Sequence, residues 1–239
     1  MEPRELAAQG YFGDSLHVPY LPERFLLPRA AFTVLVGARI LAAALALVGQ
    51  RARAALFASA MLSLYVLLCD RLEYHNNRYA LALYALLLSF TPCDRSYTLL
   101  GAPGEPDARV GPLWAARLAQ LQVSIVYLAS GGSKLLDTDW RDGVVLADRI
   151  VRYGHIAVGY GVPKKLIDFL AYPDTASALA KLAIMTELVL CVALWLKPTR
   201  VVALWWGLWF HITIQVTAKV ESFSVLAIAM YGVFVTPDF

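Results

Sequence analysis

The stretch LQVSIVYLASGGSKLLDTDWRDG, residues 121–143, places a lysine, Lys134, at the end of an apolar run and directly after Ser-Gly-Gly-Ser. Burial disfavours the charged form of an amine, so a lysine held in apolar surroundings can act as a general base. Arg117, Gln120, Ser124 and Tyr127 precede it in the same run. At about 100° per residue these positions and Lys134 share a helix face within an arc of roughly 100°. A second such face carries His211, Gln215, Lys219 and Ser222, and EYHNNRY adds His75, Asn76, Asn77 and Arg78 at the expected outer edge. Imidazole and amide groups near a base can stabilise a developing oxyanion. Three segments are therefore expected to bring donors and bases toward one side of a membrane.

Each residue also has a plainer reading. Lys134 can snorkel to the interface, and spacing alone favours that. His211 reads more often as a core histidine bonding a neighbouring helix. Arg39 and Glu187 each sit mid-segment and are expected to pair as structural glue. WWGLWF, residues 205–210, reads as helix or lipid packing, His17 as solvated, and His155 and Lys181 as background. No His/Cys spacing or paired carboxylate suits a metal, so none is expected.

These residues must be positioned by helices. The 239-residue chain is 59% hydrophobic and only 16% charged, with a formal net charge of +3. Such a composition with repeated long apolar runs is that of a polytopic integral membrane protein. The basic residues are scattered between apolar segments, which speaks to topology and against nucleic acid. Three cysteines on separate segments suggest neither disulfides nor zinc. The polar, Pro-rich opening lacks a secretory signal pattern.

Seven apolar segments can be drawn, at 30–49, 54–70, 79–92, 113–131, 176–196, 201–218 and 222–237. The third is short and extends toward EYHNNRY, and the last two form a tight hairpin. Alternating patterning is absent, so the expected fold is an all-α bundle of about seven transmembrane helices. Periodic Val144, Val145, Ile150 and Val151 predict interfacial helices within the 132–175 connection. Residues 1–28 form an extracytoplasmic N-terminal arm and 29–239 a single transmembrane domain. Arg51 and Arg53 in QRAR, Lys197 and Arg200 in KPTR, and Arg95 and Arg109 mark the cytoplasmic links. The 132–175 connection is then extracytoplasmic.

At these residues the chain resembles the HTTM domain family, the transmembrane module of vitamin K-dependent γ-carboxylase and its bacterial relatives. QLQVSIVYLASGGSKLLDTDWRDG is similar to the family pattern of Gln, Val-Tyr, small residues, Lys-Leu, Trp and Gly. DRLEYHNNRYALALYALLLSFTPCDRSYTL is similar to its Asn/His-rich helix start followed by Pro and a polar turn. LWFHITIQVTAKVESFSVLAIAMYGVFVTPDF is similar to its Phe-His helix, tight turn and closing Pro. The resemblance implies that Lys134 is the base that deprotonates a reduced, vitamin K-like quinone. If the chain is an enzyme, His75, Asn76, Asn77, Tyr127, Trp140, His211 and Gln215 are the candidates to line or orient the site. The chain departs from the carboxylase in Ser133, in one extra residue before Trp140, and in Arg109 where the carboxylase has a histidine. With ten residues before YFGDSLHVPYLP, the helix that family members carry there is expected to be absent, as is the large lumenal domain. Peptide carboxylation therefore does not follow from membership.

The leading expectation is a quinone- or lipid-sized pocket open to the outer side of a bacterial inner membrane. The alternative is a non-enzymatic membrane subunit binding lipid, a membrane protein or a secreted partner, as in peptide or toxin maturation. A transporter is disfavoured, because inverted repeats and paired broken helices are not visible.

Overall fold

A computed structural model describes residues 18–72, 74–93, 114–218 and 222–235. Among the described residues the chain forms ten α-helices and two short 3-10 turns, with no strand. Two compact units divide it, Met1–Ala119 and Gln120–Phe239.

In the first unit a 3-10 turn, Glu23–Phe25, leads into α1, Arg29–Leu47, then α2, Ala52–Cys69, and α3, Asn76–Ser89. Ala, Leu and Val dominate α1 and α2, and their 19 and 18 residues are about the length that crosses a hydrocarbon core. Gly49 and Arg51 adopt positive φ in the link between them. Phe32 and Val36 of α1 meet Cys69 of α2, with Tyr65 and Val66 packed alongside. Residues 18–21 are tied to the end of α2: Tyr20 N donates to Leu68 O at 3.0 Å and Arg71 N to Val18 O at 2.8 Å. Asp70 Oδ1 accepts from Leu72 N at 2.9 Å and caps that corner.

The long helix α4, Trp114–Leu136, starts in the first unit's residues and continues into the second. The second unit adds α5, Thr138–Arg141, α6, Val144–Gly159, and α7, Lys164–Leu170. It closes with α8, Pro173–Ala193, α9, Lys197–Ala218, α10, Phe223–Met230, and a 3-10 turn, Tyr231–Phe234. Helices α5 to α7 occupy the 132–175 connection. α6 is amphipathic: Ile150, Gly154 and Ala157 are buried while Val151 is exposed, and Ile150 and Ala157 join Ile167 of α7 in one cluster.

Three helices, α1, α2 and α8, are long and apolar enough to cross a membrane. The expected seven are therefore not all of spanning character among the described residues. α3 has 14 residues and α10 only eight, too short for an untilted span. α4 and α9 have 23 and 22 residues, but their polar faces lower their apolar character. The Ser-Gly-Gly-Ser sequence, expected to end its segment, lies inside α4, which runs on to Leu136.

Candidate functional site

Helix α4 buries Gln120, Val123, Ser124 and Tyr127 on one face, as the spacing predicts; Arg117 instead stands exposed. One turn beyond Tyr127, Gly131 lets α8 approach closely. A Cβ there would lie 3.0 Å from Leu188 Cδ2 and 3.2 Å from Glu187 Cβ. That approach places Lys134 Nζ 2.5 Å from Glu187 Oε1. The side chains of Lys134 and Glu187 are 18% and 5% exposed. Lys134 Nζ also donates to Ser130 Oγ at 2.9 Å and lies 5.1 Å from the centre of the Trp140 ring. Glu187, expected to pair with Arg39, thus takes Lys134 as its partner. The reason is periodicity: Glu187 shares a buried face with Ala176, Ala180, Ile184 and Leu190, and that face receives the notch at Gly131. Trp140 is held by α5, whose N-cap Asp137 accepts from Asp139 N at 2.9 Å.

Deeper in the unit, His211 of α9 is fully buried. Its Nε2 lies 2.6 Å from Tyr127 Oη, and Tyr127 Oη is hydrogen-bonded in turn to Tyr231 Oη. A Cβ at position 207 would collide with the Tyr231 hydroxyl, so only glycine leaves room for it. The chain can run from Tyr231 through Tyr127 to His211 Nε2, or from His211 Nε2–H through Tyr127 to Tyr231. The first direction leaves the His211 ring proton, and the second the Tyr231 hydroxyl proton, without an acceptor among the described residues. In both directions the unused atom of the His211 ring is Nδ1. That atom, together with Glu187 Oε2, Gln215 Oε1 and Ser224 Oγ, is buried without a partner among the described residues. Buried polar atoms are ordinarily satisfied, so four such orphans in one unit mark a polar interior with unused hydrogen-bonding capacity.

The structure brings Lys134 and Trp140 together, and joins Tyr127 to His211, with Gln215 one turn further along α9. His75, Asn76 and Asn77 belong to the first unit, at the start of α3. There His75 Nδ1 accepts from Asn77 N at 3.3 Å as a helix N-cap. Lys219, on the expected α9 face, and Arg109 lie outside the described residues. Sequence reasoning did not single out Tyr231, Ser224 or Gly207. The available signal was a glycine inside the Trp-rich helix, which marks a close approach. No three His, Cys, Asp or Glu side chains gather as a metal site among the described residues.

Among the described residues, an all-helical fold with three helices of spanning length and composition fits an integral membrane protein. A family model for the HTTM domain matches residues 9–239. The chain belongs to the HTTM domain family. No solved structure matches it.

Proposed function

We propose that this protein takes a quinol-type aromatic hydroxyl compound at Lys134, with Lys134 as the general base that receives the hydroxyl proton. One observation carries the reading: Lys134 Nζ lies 2.5 Å from Oε1 of the buried Glu187. An ammonium cannot accept a proton, so the amine must first pass one to a neighbour, and Glu187 is an acceptor at contact distance. Moving that proton turns a buried ion pair into a neutral amine and acid, which lowers the desolvation cost of the pair. The Trp140 ring offers an aromatic face beside the same amine. The orphaned atoms suit such a ligand: Glu187 Oε2 and Gln215 Oε1 accept, and His211 Nδ1 donates or accepts according to the ring's tautomer. A bound reduced quinone would supply the acidic hydroxyl and the reducing electrons. The basic links QRAR and KPTR favour an orientation with the 132–175 connection extracytoplasmic in a bacterial inner membrane.

A thermal-shift screen of the detergent-purified protein with reduced and oxidised naphthoquinones and ubiquinones tests the reading. The reduced forms should raise Tm in the native chain and lose the effect in Lys134→Gln. No shift with any of them sinks it.

A non-enzymatic subunit that binds lipid or a partner protein is the second reading. It is favoured by the bonds that tie α4 to α8, in which Ser124 Oγ donates to Cys191 O at 3.0 Å and Lys134 to Glu187. The charge-swapped double variant Lys134→Glu/Glu187→Lys separates the two. A structural pair tolerates the swap, whereas a base at position 134 does not.

A further inference from the structure

We propose that the cleft between the α1–α2 link and the end of α3 binds the phosphate of an anionic phospholipid. The cleft has a volume of about 410 Å³, is open to the surface, and is lined by Arg51, Arg53, Ala54, Phe57, Ser89 and Phe90. It lies wholly in the first unit and is independent of the reading of Lys134.

Charge comes first. Arg53 Nε donates to Ser89 O at 3.3 Å, which closes the C-terminal end of α3 and leaves the terminal guanidinium nitrogens without a partner among the described residues. Arg51 makes no ion pair among the described residues. Two arginines thus face one cleft that no carboxylate lines among the described residues, and guanidinium forks match phosphate oxygens. Arg51 also holds φ at +47°, the one non-glycine residue with positive φ among the described residues. Glycine or asparagine would adopt that conformation at less cost.

Depth then distinguishes the ligand. α1 and α2 are span-type helices, so their link stands at the level of lipid headgroups. Phe57 lies about one and a half turns further along α2, and its ring meets Phe90 edge to face at 6.3 Å. The cleft therefore presents cations at the headgroup level and aromatic rings deeper, the same polarity order as a phospholipid. A free phosphate shares the guanidinium chemistry but makes no use of the rings. A zwitterionic lipid brings its own ammonium to a cleft that is already cationic.

The test is native mass spectrometry of the full chain, delipidated in detergent and titrated with phosphatidylglycerol, phosphatidylcholine or inorganic phosphate. Phosphatidylglycerol should bind well above phosphatidylcholine, and millimolar inorganic phosphate should not displace it. The double variant Arg51→Gln/Arg53→Gln should remove the preference. Because Arg53 also closes α3, Arg51→Gln alone serves as the second variant; it removes no ion pair among the described residues and should weaken phosphatidylglycerol about fivefold. Equal binding of the two lipids, or unchanged binding by Arg51→Gln, overturns the proposal. Displacement by inorganic phosphate alone overturns the lipid assignment and leaves a simple anion site.

Discussion

The two units place their polar groups differently. In the first, the strongly bonded polar side chains stand at helix ends. Asp70 caps the corner after α2, His75 caps α3, and Arg53 closes its far end. The interior is Phe32, Val36, Ala60, Leu67 and Ala82, with Arg39, Ser59 and Ser63 half-buried and Tyr84 buried in mid-helix. The second unit buries Gln120, Ser124, Thr186, Glu187 and His211 in mid-helix, and Ser224 in the first turn of α10. Lipid tails are as apolar as leucine, so apolar contact alone does not tell one helix which neighbour to choose. Polar pairs do. The first unit relies on short links and small residues to set its packing, and the second is specified by hydrogen bonds and an ion pair that have no equivalent in lipid. Intramembrane ionisable groups also mark function by default, which makes the second unit the place to look for chemistry.

The largest test of this contrast is the ion pair. Lys134→Met leaves Glu187 buried without its cation and should cost about 3–5 kcal/mol. Pairing it with Glu187→Leu should recover much of that loss, as read by reversible unfolding in mixed micelles. If the single change is silent, the second unit is not organised by its charges. Next comes the tyrosine chain. Gly207→Ala drives a Cβ into the Tyr231 hydroxyl and should cost about 1–3 kcal/mol. Tyr231→Phe removes the colliding oxygen, so the double variant should be more stable than Gly207→Ala alone. Ser124→Ala removes the bond to Cys191 O and leaves Trp195 Nε1, now 2.6 Å from Ser124 Oγ, without an acceptor. Its cost should be about 1–2 kcal/mol in thermal melts. The smallest effect belongs to the first unit: His75→Ala removes only a helix cap and should cost at most about 1 kcal/mol. An effect of His75→Ala as large as that at Lys134 would erase the distinction between the units.

Much of the helical order was legible in the sequence, because long apolar runs punctuated by basic links leave few alternatives to helices. The helices of the 132–175 connection and the buried face from Gln120 to Tyr127 follow from periodicity. Three features escaped it for physical reasons. Ser-Gly-Gly-Ser read as a break, but small residues are tolerated where helices pack closely, and Gly131 is such a place. Glu187 was expected to pair with Arg39 because spacing along one helix does not reveal which other helix it faces. The count of seven spans treated hydrophobic runs as equal, whereas the polar faces of α4 and α9 and the shortness of α3 and α10 set them apart from α1, α2 and α8. Lys134 stood out in the sequence; its carboxylate partner and the Tyr231–Tyr127–His211 chain required the fold.

The notch at Gly131 carries a consequence for biogenesis. α8 leaves the ribosome well after α4, and it carries Glu187 deep in its apolar length. An acidic residue near a helix centre costs about 2.5–3.5 kcal/mol on insertion scales, and Lys134 at 2.5 Å is the group that relieves it. The earlier helix thus offers the later one a countercharge, and α8 is expected to enter the bilayer more readily once the lysine 53 positions upstream is in place.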